Sequence, residues 1–379
     1  MNKLFLFIIA ALALTIGCRK QNDDHQKDLR DFKQVNLVSN VIKYNPVHID
    51  TTLTNAWGLA WHPSGIAWVN ANHEGVADVY SGEGAIIRPP VNIPTPTDTT
   101  GGAASGIVFT DGQGFRLNNG SPALFLFVTE DGVLAGWNGK AGNNAKLIKD
   151  LSATSEFKGL AINSWGGHTF IYATDFKANK VVVWDTGFNK QSFSFNDPDI
   201  PAGFAPFGIQ SVGAWLYVTY AKVGPTFDDV KAPGNGFVDI FRADGSFVHR
   251  FASRGTLNSP WGVTAANSAF LDANDLKEEV ENGDVNVHAL FKGQGGGHQE
   301  NDDKDSVILV GNFGDGHINA FNMSGGFLGQ LKSHSHTIAI DGLWALSFPP
   351  STSSIDQSRL YFTAGPDMEQ NGLFGYLKK

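Results

Sequence analysis

Acidic and amide side chains supply most of the chemistry this sequence offers. Asn72, Glu130, Asp175 and Asp341 each border an apolar run that reads as a β-strand. Oxygen ligands drawn from separate elements suit calcium or another hard divalent cation. An ion so held would polarise a carbonyl and activate water. His73, His334 and His336 are the candidate catalytic bases, because only histidine titrates near neutral pH when unperturbed. His334-x-His336 also has the form of a transition-metal pair, without a third ligand at an informative spacing. Asn55, Trp57, Asn72, His73, Tyr220, Asn312, Asp315 and Asp341 are candidates for holding a ligand, because they stand at corresponding ends of repeated strands. The competing reading is local: Asp and Asn directly after a strand are turn formers that bond their own backbone. Ser105 lies in AASGIV, which is no nucleophile elbow. GQGGGH follows no strand and opens no helix, so it is no dinucleotide fingerprint.

Positioning such residues requires a repeated frame, and the sequence contains one. AWGLAW (56–61) is echoed by ASGIVF (104–109), FKGLAI (157–162), PFGIQS (206–211), PWGVTA (260–265) and DGLWAL (341–346). The shared glycines are Gly58, Gly106, Gly159, Gly208, Gly262 and Gly342. Each copy is followed by a second apolar segment and, across a Gly- or Asn-containing turn, a third. Alternation, β-branched and aromatic content identify strands, and the turns identify hairpins. A fourth segment follows in five copies: IIRPPVNI, KLIKDLS, QSFSFN, SFVHRFAS and FLGQLKS. The sixth copy ends at Lys379 without one, while FKQVNLVSN (32–40) near the N-terminus is unassigned. Six units of about 50 residues predict an all-β fold, a six-bladed β-propeller whose N-terminal strand closes the last blade. Closure removes an unpaired strand edge. In this frame the starts of first strands and the ends of second strands ring one mouth of the central channel, and the candidate residues gather there.

Between WGVTAAN and VILVGN, residues 268–306 form an insertion in the fifth unit. Asp272-x-Asn274 within it invites a calcium-loop reading, but Leu276 and Lys277 stand where a ligand and the turn glycine belong.

The chain of 379 residues carries a formal charge of −9, and Lys and Arg never form a dense run, which argues against a nucleic-acid partner. Lys3, the apolar stretch Leu4–Ile16 and Gly17–Cys18 read as an export signal, too short for a spanning helix. Cys18, the single cysteine, follows a small residue at the end of that signal, and residues 1–18 resemble a bacterial lipoprotein signal peptide. The resemblance implies lipidation of Cys18, attachment to a membrane, and, with Arg19 next, the outer membrane of a Gram-negative cell envelope. Residues 19–31 are polar and aperiodic and read as a flexible tether, leaving 32–379 for the propeller.

VGNFGDGHINAFN, IDGLWALSF and LYFTAGPDMEQNGLFGYL, with QVNLVSN and NAWGLAW, resemble an uncharacterised family of exported bacterial six-bladed propellers, distantly related to NHL-repeat proteins. The resemblance spans most of 33–379 and departs at the insertion. It implies fold and export and supplies no reaction. Two functions are therefore expected in parallel. One is a monomeric, lipid-anchored envelope module that binds a small molecule, glycan or protein. The other is a divalent-metal-dependent hydrolase resembling lactonases or esterases, with its ion at the upper channel mouth. A glycan reading requires Trp57, Trp137, Trp165 or Trp261 to be exposed.

Overall fold

The computed structural model describes residues 28–271 and 306–379. The signal segment with Cys18, the tether up to residue 27, and Asp272 and Asn274 of the insertion lie outside the described residues.

Six antiparallel sheets surround one axis. Blade one comprises Ala56–His62, Ile66–Ala71, Val76–Tyr80 and Ile86–Asn92. Blade two comprises Ala104–Phe109, Phe125–Thr129, Val133–Trp137 and Lys146–Asp150. Blade three has Phe157–Trp165, His168–Asp175 and Lys180–Asp185. Blade four has Phe204–Val212, Trp215–Lys222, Gly236–Arg242 and Phe247–Ser253. Blade five has Pro260–Ala266, Val307–Asn312, Ile318–Asn322 and Phe327–Gln330. Blade six has Leu343–Ser347, Leu360–Ala364 and Leu373–Lys378, its fourth strand is Lys33–Ser39 from the N-terminus, and the two-residue strand His48–Ile49 pairs parallel outside it. That strand pairs antiparallel from Lys33 opposite Lys378 to Ser39 opposite Leu373, so the ring is closed by the segment expected to close it. The inner strands pack in sequence, and the sixth returns to the first.

Close approach of these inner strands explains the repeated glycine. A Cβ on Gly208 would lie 2.2 Å from the Trp261 carbonyl oxygen of the next blade. On Gly262 it would lie 2.6 Å from that of Trp344. Every inner strand carries a bulge at this point, and in blades three, four and six a second-strand threonine secures it. Thr174 Oγ1 donates to the Phe207 carbonyl at 2.7 Å and accepts from Gly159 N–H at 2.7 Å. In blade six the bulge lies between Leu343 and Leu346. The residue matching the glycines there is Ala345, not Gly342. Gly342 has φ +66° in the preceding turn, where the left-handed conformation is the reason for glycine.

QSFSFN in blade three forms no strand. The chain makes one bridge, Trp184 to Lys190, and then leaves the sheet. Phe193 and Phe195 pack instead edge-on against Phe170 and Tyr172, so aromatic burial replaces a hydrogen-bond ladder. The insertion begins with a short helix, Ser268–Leu271, whose Phe270 stacks on Phe32 at 4.6 Å. Leu29, at the end of the tether segment, is buried against blades five and six.

Candidate functional site

The bulge places one side chain per blade at the upper end of the axis: Trp57, Ser105, Lys158, Phe207, Trp261 and Trp344. The aromatic members seal the channel. Trp57 stacks on Trp344 at 3.7 Å, and Trp344 stacks on Phe313 at 3.7 Å. Trp261 meets both tryptophans edge-on. Trp57, Trp261 and Trp344 are at most 2% exposed. Among the described residues the indole N–H groups of Trp57 and Trp261 have no partner.

A polar chain crosses this floor from blade six to blade three. Asn55, in the left-handed conformation at φ +48°, presents its side chain inward. Its amide donates to Glu369 Oε2 at 2.9 Å and to Asn72 Oδ1 at 3.3 Å, and accepts from Trp344 Nε1 at 2.9 Å. Asn72 in turn donates to Glu130 Oε2 at 3.0 Å. Glu130 Oε1 accepts from Lys158 Nζ at 2.5 Å, and Lys158 lies 2.7 Å from Glu156. His73 Nε2 is 3.4 Å from Asn55.

The electrostatics follow from these neighbours. Burial by itself would depress the Lys158 ammonium, but Glu130 and Glu156 raise it above the ordinary lysine value, so it is a fixed cation. Burial pushes Glu369 above the ordinary glutamate value of 4.5; Glu130 and Asp229 push with it, and Lys231 and His73 pull against it. Asp229, from the loop after the second strand of blade four, is likewise raised by burial against the opposing Ser259 hydroxyl, Lys231 and Lys158. Lys231 places Nζ 3.7 Å from the centre of the Phe313 ring. The axis therefore carries a column, Trp57, Trp344 and Phe313, capped by an ammonium.

The expected residues divide sharply. Asn55, Trp57, Asn72, His73 and Glu130 come together. The other proposed ion ligands do not join Asn72 and Glu130. Asp175 is fully buried and accepts from the N–H groups of Glu156 and Ala178, as a turn former does. Asp341 is exposed and accepts from Asp367 N–H. Lys158 supplies the positive charge between Glu130 and Glu156. Among the described residues no three His, Cys, Asp or Glu side chains gather at metal-binding distance. Tyr220 is buried against Asp239 between blades. Asn312 and Asp315 are tied to Asn258 and to each other in the turn of blade five. His334 and His336 lie exposed in a small hairpin, which Lys332 pins to Leu29 and Phe32. Trp137 and Trp261 are buried, while Trp165 is 44% exposed at the opposite, lower end of blade three. Sequence reading missed Trp344 because the sixth copy carries Ala345 in place of glycine. It missed Lys231, Asp229 and Glu369 because they lie in loops outside the repeat.

The fold and site stand beside these relatives. No protein-family model matches the chain. The uncharacterized protein R648 of Acanthamoeba polyphaga mimivirus is 30% identical over 364 residues, covering 90% of this chain and 79% of that protein. The chain belongs to its family. A second relative from the same virus, the uncharacterized protein L690, is 29% identical over 347 residues, covering 88% of this chain and 82% of that protein. These relatives of the family are viral, where the sequence resemblance pointed to bacterial proteins. Among solved structures, a gluconolactonase from Xanthomonas campestris is 14% identical with a TM-score of 0.48, covering 86% of each chain. A streptogramin B lyase is 11% identical with a TM-score of 0.49, covering 92% of this chain and 97% of that one. Neither likeness bears on chemistry.

Proposed function

We propose that the chain is a ligand-binding β-propeller whose site is the upper channel mouth and whose ligand carries a protonated amine or similar cation. The column of three stacked rings ending in Lys231 carries this reading. An aromatic face beside carboxylates is a cation site by its own physics. The mouth holds Glu130, Glu156, Asp229 and Glu369 against Lys158 and Lys231. Lys158 is locked by two of the acids, and Asp229 and Glu369 stay raised by burial. The unmet demand is for positive charge. Lys231, exposed on its loop, is the group a ligand would displace.

Lys231→Ala should therefore bind a small alkylammonium ion such as butylammonium more tightly than the unaltered chain, seen as a larger rise in Tm with added ligand. Glu369→Gln in that background should lose the gain. Protonation of Glu369 removes the attracting charge, so binding should weaken as pH falls through its raised pKa, earlier than for a glutamate at 4.5. The same series in Glu369→Gln should be shallower, Asp229 being the raised carboxyl that remains. A response to ammonium that is equal in all variants would end this reading.

The cellular address belongs to the same proposal. Lys3, the apolar run from Leu4 to Ile16, and the lone Cys18 after Gly17 support a lipid anchor at a cell envelope. A fatty-acid analogue should label the full chain expressed in a Gram-negative host and should not label Cys18→Ser. Equal labelling would remove the anchor.

A further inference from the structure

Blade four contains a buried arrangement that blade one repeats with one part missing. In blade four, Asp239 on the third strand faces the preceding blade and is fully buried. Asp197, in the segment that leads from blade three into blade four, reaches the same place. Arg250 on the fourth strand, paired opposite Asp239, bridges both carboxylates. Tyr220 lies beside Asp239, whose Oδ2 has no hydrogen-bond partner among the described residues. Blade five neutralises the matching position differently: it carries Asn319, which accepts from Gln330 of its fourth strand at 3.1 Å.

In blade one the matching third-strand residue is Asp78, opposite Val69 as Asp239 is opposite Val218. It is 2% exposed, and among the described residues its Oδ2 has no hydrogen-bond partner. Asp50, in the segment that leads into blade one, stands where Asp197 stands in blade four. Thr52 Oγ1 joins the two acids, at 3.0 Å from Asp78 Oδ1 and 2.7 Å from Asp50 Oδ1. Tyr80 donates its hydroxyl to Asp50 Oδ2 at 2.9 Å. Among the described residues no arginine arrives. The fourth strand bulges opposite Asp78, where Pro89 and Pro90 pass. Its one basic residue, Arg88, turns away to the Trp137 ring at 4.7 Å and to Asn143 at 2.7 Å. Asp78 is buried and Asp50 is half-buried beside it, and two carboxylates so placed are costly without a counter-charge.

We infer that a hard metal cation, calcium by its ligand chemistry, occupies between Asp50 and Asp78 the place that Arg250 fills in blade four. Carboxylate oxygens of Asp50 and Asp78 and the Thr52 hydroxyl are hard donors, and water completes the shell that calcium requires. With two carboxylates the affinity belongs in the weak, roughly 0.1–1 mM class of calcium modules. This site lies at the boundary of blades six and one and is separate from the channel mouth.

The test uses the full chain, stripped with a chelator, and calcium alone as probe. Millimolar calcium should raise Tm by about 2–4 °C, and equal magnesium should do less. Terbium should bind and emit on excitation of tyrosine, Tyr80 being adjacent, and calcium should quench that emission by competition. Asp78→Asn should lose both responses. Asp50→Asn, at a more exposed position, should lose them too and guards against a folding defect in the first variant. Absence of both responses in the unaltered chain, or their survival in folded Asp78→Asn or Asp50→Asn, overturns the inference.

Discussion

Trp344→Ala should cost about 3–5 kcal/mol of folding stability, the range for removing a fully buried tryptophan. Three losses coincide there. Trp344 is 1% exposed and forms the middle of the stack between Trp57 and Phe313. It also gives Asn55 its only indole donor, at 2.9 Å, so Asn55 Oδ1 is left buried without that partner. The cavity would open on the axis, where six inner strands meet and backbones are already in contact, so little collapse is available to refill it. Urea denaturation should show a lower midpoint with an unchanged slope. Trp344→Phe should recover part of the loss through stacking while leaving Asn55 unpaired. A loss under 1 kcal/mol for the alanine variant would mean that the column does not hold the ring together.

Lys158→Met should be the second large effect, about 3 kcal/mol of stability, because it leaves two carboxylates without their cation. The lysine side chain is 4% exposed, whereas those of Glu130 and Glu156 are 27% and 22% exposed, and their partial solvation keeps the expected cost at the lower end of the range for a broken buried pair. Methionine preserves most of the buried aliphatic volume, so the loss reports charge rather than packing. The combined variant Lys158→Met, Glu130→Gln, Glu156→Gln should regain most of the stability, since no charge then lacks a partner. Failure of the triple variant to recover would assign the role of Lys158 to shape.

These effects rest on different levels of information. The strands were legible because alternation, turn glycines and repetition are local properties of the chain. NAWGLAW, PFGIQS and PWGVTA carry them so regularly that the strand ends agree with the sequence boundaries within a few residues. Two places misled. QSFSFN alternates as a strand should, but its phenylalanines find aromatic partners rather than a ladder. DGLWAL offers a glycine that looks like the repeat yet serves a turn, while Ala345 occupies the bulge. Asn55, Trp57, Asn72, His73 and Glu130 could be assigned to one place because the repeat assigns strand ends to one mouth. Asp175, Asp341, Asn312 and Asp315 meet the same criterion, and their carboxylates and amides turn instead to nearby backbone.

The sequence by itself determined the number of blades, the strand that closes the ring, and, in five of the six inner strands, the point where a side chain is not admitted. These follow from periodicity and from the bulk of single residues. Only the tertiary structure decided which charges neutralise one another. Lys158 serves Glu130 and Glu156 instead of leaving room between them for an ion, Lys231 ends an aromatic column, and Asp78 lacks the arginine that Asp239 has. Each of these depends on contacts of 2.5 to 3.7 Å between residues far apart in the chain, Lys158 with Glu130, Lys231 with Phe313 and Thr52 with Asp78. Residue types near strand ends suggest such contacts, and only the packing of one blade on the next selects among them.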